Sequence, residues 1–193
     1  GQGAPAGNRV SMTLWDGGGR DTYDFSNYAT DMSVNLQPGG WSTISAAQLA
    51  GLGYQRYARG NIANALLYHN NPASLIEDVI GGSGDDVILG NIAANSLTGG
   101  QGNDFLDGGI GADTAIYSGS SFEFSWVKNA DNTWTIADLR AGAPDGTDTL
   151  KNIQYLDFTD LIVSLAGSEG GGDPGDTGPV AVDDFFATSG RTI

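Results

Sequence analysis

The chain has 193 residues, with 23 acidic side chains against 8 basic ones and a formal charge of −15 at pH 7. That excess of carboxylates argues against nucleic acid or an anionic membrane as partner, because both would be repelled. Cysteine is absent and histidine occurs once, so neither a disulfide framework nor a zinc cage of several histidines can be built.

In chain order, the stretch from Val10 to Leu36 alternates apolar and turn residues and predicts short strands around a Trp15-Asp16 loop. Ser45 to Leu52 predicts a short helix with Ser45 as its N-cap, and Asn61 to Tyr68 is a second apolar stretch of unassigned type. Residues 1–71 read together as an N-terminal flank.

Next comes a repeat. Gly81-Gly82-Ser83-Gly84-Asp85-Asp86-Val87-Ile88-Leu89 recurs as Gly99-Gly100-Gln101-Gly102-Asn103-Asp104-Phe105-Leu106-Asp107. A degraded copy lies between them at 90–98, and a fourth follows at 108–116. Glycine-rich turns let the backbone bend sharply and aim carbonyl oxygens inward. The residues after each aspartate predict a short strand whose middle side chain enters the core, here Ile88, Leu97, Leu106 and Ala115.

Successive units face opposite sides of a flattened spiral, so each stacks on the next but one. This makes Asp86 a neighbour of Asp104, and Asn95 a neighbour of Asp113. Facing carboxylates repel unless a cation lies between them, and calcium takes roughly six to eight oxygens, including carbonyls. A flexible Gly/Asp/Ser linker does not explain the apolar residue at the eighth position of successive nonapeptides. A phosphate loop fails as well, since no lysine follows the glycines. The roll is assigned to 72–117. It is expected to end there, because Phe122 stands where an aspartate would follow eighteen residues after Asp104.

Residues 118–166 change pattern. Phe122, Phe124 and Trp126 alternate, Asn129-Ala130-Asp131-Asn132 turns, and Trp134, Ile136 and Leu139 follow, which predicts an aromatic β-hairpin capping the roll. Residues 167–179 read as a flexible acidic linker. Residues 180–193, opening with Val180-Ala181-Val182-Asp183-Asp184-Phe185-Phe186, look like the first strand of a cadherin-like module. The fold expectation is all-β: a parallel β-roll flanked by short strands and a capping hairpin, with little helix.

The glycine-aspartate nonapeptides resemble the repeats-in-toxin (RTX) parallel β-roll. Leu14-Trp15-Asp16-Gly17-Gly18-Gly19-Arg20-Asp21-Thr22-Tyr23-Asp24-Phe25-Ser26 is similar to the opening of the C-terminal calcium domain of serralysin-type metalloproteases. Leu75-Ile76-Glu77-Asp78-Val79-Ile80 is similar to that family's lead-in to the roll, and the segment from Gly146 to Phe158 resembles a module that follows RTX repeats.

Carried over position by position, the resemblance implies four calcium sites. One takes the Asp16 and Asp21 side chains with the Gly18 carbonyl; a second takes Gly19, Asp21, the Leu75 carbonyl and Glu77. A third sets Gly82, Gly84 and Asp86 against Gly99, Gln101 and Asp104. The fourth sets Asn91, Ala93 and Asn95 against Gly108, Ile110 and Asp113. Two departures stand out: Gly1 to Met12 does not match the family's upstream ligands, and Asn95 replaces an aspartate, which weakens a cation site.

Catalytic chemistry finds little support. His69 is the single histidine and no His-Glu-x-x-His motif occurs, which excludes that type of zinc proteolysis within this chain. No Gly-x-Ser-x-Gly elbow is present. The pairs Glu77-Asp78, Asp85-Asp86 and Asp183-Asp184 invite a glycosidase reading, but strand neighbours face opposite ways. Trp15, Trp41, Trp126 and Trp134 suit a carbohydrate-stacking surface or a core, with core or capping roles expected at Trp15 and Trp126.

No apolar run is long enough to span a bilayer and no signal peptide is visible. The start at Gly1 reads as a fragment or a processed product. The expectation is a non-enzymatic calcium-binding module, secreted and extracellular, that folds on extracellular calcium. Its partners are calcium ions, other domains of a parent protein and, as the resemblance implies, the type I secretion machinery. Two alternatives stand beside it: the C-terminal part of a serralysin-like zinc metalloprotease with its catalytic domain upstream, and an interaction segment of a calcium-dependent adhesin.

Overall fold

The computed structural model describes residues 9–166. Gly1 to Asn8, the expected linker and the cadherin-like strand lie outside the described residues. The described chain forms β1 (Met12–Leu14), β2 (Thr22–Asp24), β3 (Ser33–Asn35), β4 (Trp41–Ser42), β5 (Gly51–Gly53), β6 (Arg56–Tyr57), β7 (Ile62–Asn64), β8 (Asp78–Ile80) and β9 (Val87–Asn91). These are followed by β10 (Ser96–Thr98), β11 (Phe105–Gly109), β12 (Thr114–Ile116), β13 (Phe124–Lys128), β14 (Trp134–Asp138), β15 (Thr147–Lys151), β16 (Tyr155–Asp157) and β17 (Ile162–Ser164). Helix is limited to single 3-10 turns, so the all-β expectation holds.

Two six-stranded sheets face each other. One runs β2-β8-β10-β12-β16-β17 and the other β3-β9-β11-β15-β14-β13. Pairing is parallel from β2 to β16 and from β3 to β15, and antiparallel only at the last strands. Because the chain alternates between sheets, each coil stacks on the next but one, as the nonapeptide period requires.

Register places one apolar side chain of each strand in a continuous row. Tyr23, Val79, Leu97, Ala115, Leu156 and Val163 align in one sheet, and Val34, Ile88, Leu106 and Leu150 in the other. All are buried. A fully buried aliphatic side chain contributes roughly 1.5–3 kcal/mol, so these rows supply most of the apolar stabilisation such thin coils can gather. Ile88, Leu97, Leu106 and Ala115 point inward as the repeat predicts.

The roll is longer than 72–117 at both ends. β2 and β3 add a coil before β8, with residues 36–77 inserted, and β15 and β16 add another after β12, with the β13–β14 hairpin inserted. The expected end of the roll is therefore corrected: the chain leaves it after β12, forms the aromatic hairpin, and re-enters at β15. The segment expected only to cap the roll is its next coil. Tyr117, Phe124, Trp126 and Phe158 pack together beside the small Ala115, with ring centroids 5.1–5.6 Å apart.

Other local expectations differ too. Ser45 does not cap a helix; Ala46–Gln48 is one 3-10 turn without a side-chain cap, and the chain then enters β5. Asn61 to Tyr68 contains β7, which pairs with β1 and β4 in a small side sheet. The Tyr23 hydroxyl donates to Asn64 Oδ1 at 2.6 Å, and Asn91 Nδ2 donates to the carbonyls of Leu36 and Ile76, fastening the inserted residues to the roll.

Candidate metal centre

Turns between strands stack along the two edges of the roll. On one edge the turns ending at Met32, Asp86, Asp104 and Asp148 lie in a row. Each backbone amide donates to the next carboxylate: Met32 to Asp86 Oδ1 at 2.8 Å, Asp86 to Asp104 Oδ1 at 2.7 Å, and Asp104 to Asp148 Oδ1 at 2.8 Å. This ladder uses one oxygen of each carboxylate to hold the neighbouring coil and leaves the other for something else. In Asp86 the second oxygen accepts from Gly82 N–H at 3.0 Å, whereas Asp104 Oδ2 is buried with no partner.

Residues of the third expected site come together here. The Gln101 amide donates to the Gly82 carbonyl at 2.9 Å, and Gly102 lies against the Gly84 carbonyl. Glycine is required at Gly99 by close approach, because a Cβ there would run into the Asp104 carboxylate.

The opposite edge stacks Asn95 and Asp113. The Asn95 amide donates to Asp113 Oδ1 at 2.8 Å, the Ile110 amide donates to the Asn91 carbonyl at 3.0 Å, Gly108 lies against Asp113, and Gly111 faces the Ala93 carbonyl. Asn95 departs from the aspartate pattern in a readable way: its Nδ2 donates to the Glu77 carbonyl at 2.8 Å, a bond that a carboxylate could not make. Asp113 Oδ2 is buried and unpartnered, like its counterpart in Asp104.

Upstream, Asp16, Gly18, Gly19, Asp21 and Glu77 of the first two expected sites lie near one another. Asp16 Oδ2 accepts from Gly18 N–H at 2.7 Å and Glu77 Oε2 from Asp21 N–H at 2.9 Å. The Asp21 carbonyl accepts from the Glu77 and Asp78 amides, which joins this loop to the lead-in at Leu75. Asp21 Oδ2 is the third buried carboxylate oxygen without a partner.

Electrostatics follow from this burial. Desolvation raises the carboxyls of Asp86 and Asp113 above the usual range, and lifts Asp104 to about 7 and Asp148 to about 8, each of the latter two pushed further by neighbouring carboxylates. Desolvation and the adjacent Asp16 raise Asp21. The fold thus holds anionic groups that are poorly compensated without a cation.

Among the described residues, no three histidine, cysteine, aspartate or glutamate side chains converge as a metal cage. A cation would instead be held by one or two carboxylates from adjacent turns and by turn carbonyls, the donor set suited to a hard ion such as calcium. Asp21, Asp104 and Asp113 each present an otherwise orphaned oxygen at an expected ligand position, so the residues fit the group.

The sequence reading missed Asp148. The signal was available as Gly146-Thr147-Asp148-Thr149-Leu150, which repeats the Gly-x-Asp-x-apolar half of the nonapeptide. Trp15 is exposed rather than in the core, while Trp126 and Trp134 are buried, so the four tryptophans form no single stacking surface. His69 is exposed and stacks on Tyr68.

Comparison with known proteins identifies the family. Residues 4–169 match the family model described as Peptidase M10 serralysin C terminal. Over 90 residues the chain is 41% identical to the serralysin of Photorhabdus laumondii, covering 47% of this chain and 15% of that protein. It is 33% identical over 90 residues to metalloprotease AprA of Pseudomonas entomophila, again 47% and 15%, and 35% identical over 86 residues to serralysin G of Dickeya chrysanthemi, 45% and 14%. The aligned stretch thus spans about one seventh of these relatives. What the chain matches is their C-terminal, non-catalytic part. The chain belongs to the Peptidase M10 serralysin C-terminal family.

Proposed function

We propose that this chain is a calcium-binding RTX module of a secreted multidomain protein, which folds on extracellular calcium and so supports type I secretion and stability. The observation that carries the reading is the set of buried, unpartnered oxygens of Asp21, Asp104 and Asp113. When bound, calcium supplies positive charge that offsets the buried carboxylates and ties adjacent turns together. The chain's own residues do the rest. Asp86, Asp104 and Asp113 clamp neighbouring coils through amide-to-carboxylate bonds, and the Ile88 and Leu97 rows close once the coils are in register.

Where calcium is scarce, repulsion among desolvated carboxylates opposes that stacking and favours an extended chain, which suits passage through a narrow exporter. The relatives add a reading of the parent: a serralysin-like zinc metalloprotease with its catalytic domain upstream, with the extracellular space as the place of action. Size-exclusion chromatography tests the module itself. A compact monomer in calcium and an expanded chain in chelator are expected; equal elution volumes would refute the coupling.

A further inference from the structure

The two edges of the roll end differently after the hairpin insertion. On the Asn95 edge, the last turn is short and brings Gln154, whose Oε1 accepts from the Asp113 amide at 2.6 Å, so a neutral carboxamide closes that row. On the Asp104 edge, the turn entering β15 keeps the repeat's length. Gly146 lies against the Gly102 carbonyl as Gly102 lies against that of Gly84, and Thr147 N–H donates to Asn103 Oδ1 at 3.0 Å. Ala143 to Lys151 is therefore a displaced nonapeptide, stacked on the 99–107 unit at a separation of 44 residues instead of 18.

What this turn brings is two carboxylates, of which Asp145 has Arg140 as counter-charge and Asp148 has none among the described residues. Asp104 and Asp148 are each 2% exposed, and Asp138 and Asp145 lie close by, also buried. Arg140 is committed to Asp138 at 2.8 Å and Asp145 at 3.1 Å, and Ser118 donates to Asp145 from both its amide and its hydroxyl. Asp104 and Asp148 have no cationic partner among the described residues: Asp104 Oδ1 accepts from the Asp86 amide and Asp148 Oδ1 from the Asp104 amide. One polar atom in this region, Asp104 Oδ2, is buried without a hydrogen-bond partner. The Tyr117 hydroxyl faces the Asp148 carboxylate.

We propose that Asp104 and Asp148 form a further calcium site, between the turn at 99–104 and the displaced turn at 143–148, with carbonyls of both turns completing the donor set. The site fastens the coil that follows the hairpin to the contiguous repeats, so the insertion is locked only when the cation is held. This rests on the calcium reading above and extends it to a ligand, Asp148, that lies outside the contiguous repeats. The Tyr117 hydroxyl, fixed beside the cluster by its aromatic neighbours, is an additional neutral oxygen for the same ion.

Crystals of the unmodified chain grown with calcium and exchanged into terbium test this by anomalous scattering. The expected result is a peak between Asp104 and Asp148 as well as one between Asp86 and Asp104. Peaks at the contiguous repeats with none at Asp148 would overturn the inference alone; no ordered ion anywhere would overturn the calcium reading with it. In solution, Asp148→Asn keeps an acceptor for the Asp104 amide but removes the charge. Equilibrium dialysis should then find one calcium fewer per chain than in the unmodified protein, and an unchanged count would contradict the proposal.

Discussion

The amide of Asp104 donates to Oδ1 of Asp148 at 2.8 Å across 44 residues, repeating the bond that joins the Asp86 amide to Asp104 at 2.7 Å across 18. Equal geometry at unequal separation means that stacking of turns, not contiguity in the chain, defines the coil. Asp104 consequently faces a carboxylate on both sides.

That position ranks the aspartates. Asp104→Ala should raise the calcium concentration at the folding midpoint more than Asp86→Ala, and Asp86→Ala more than Asp113→Ala, because the row of Asp113 contains the neutral Asn95 and Gln154. Loss of one carboxylate is expected to shift the midpoint by about tenfold or more, since charge count tunes such sites over decades. Titration followed by circular dichroism reads the order; Asp113→Ala as the most damaging change would show the edges to be misjudged.

Glycine at the displaced turn is equally specific. Gly146 has φ of +70° and lies against the Gly102 carbonyl, so alanine meets both backbone strain and a collision. Gly146→Ala should lower the melting temperature in calcium and increase solvent exposure of Trp126 and Trp134, measured by fluorescence quenching. Gly142→Ala, with open space around it and a positive φ of +84°, should cost less.

Within the apolar rows, Leu106 is 1% exposed and is flanked in register by Ile88 and Leu150. Leu106→Ala is expected to destabilise the calcium-loaded fold by about 2–5 kcal/mol. Chemical denaturation in saturating calcium measures it, and a loss below about 1 kcal/mol would contradict the continuous core.

Titration behaviour has a definite sign. In the cation-free fold Asp104 titrates at about 7 and Asp148 at about 8, raised chiefly by burial, against about 3.9 in an unfolded chain. Between the unfolded and folded values the fold holds protons the unfolded chain has released, so these two groups make the cation-free fold less stable as pH rises through that window. Calcium needs the ionised carboxylates, so its binding near neutrality should release protons. Calorimetry at pH ~7 in buffers of different ionisation enthalpy should give different apparent heats; identical heats would argue that Asp104 and Asp148 are already ionised.

Much of this was legible in the sequence because period and chemistry agree there. The nonapeptide spacing leads directly to Ile88, Leu97, Leu106 and Ala115 in the core and to the Asp86–Asp104 and Asn95–Asp113 neighbours. The re-entry at β15 was not legible by counting, since an insertion changes the separation without changing the stacking, and only Gly146, Asp148 and Leu150 keep the pattern. Ser45 offered a cap, yet Gly51 and Gly53 follow closely and the chain pairs as β5 with β6 instead. A core or capping role for Trp15 rests on residue type alone, whereas the side chain is exposed beside the polar loop that follows it.

The central claim is that the buried carboxylates make folding depend on a cation. Far-ultraviolet circular dichroism of the chain, first in chelator and then in excess calcium, tests it most directly. A weakly structured spectrum in chelator that gains strong β-sheet signal with calcium is predicted. A fully folded β spectrum in chelator, unchanged by calcium, would contradict the account.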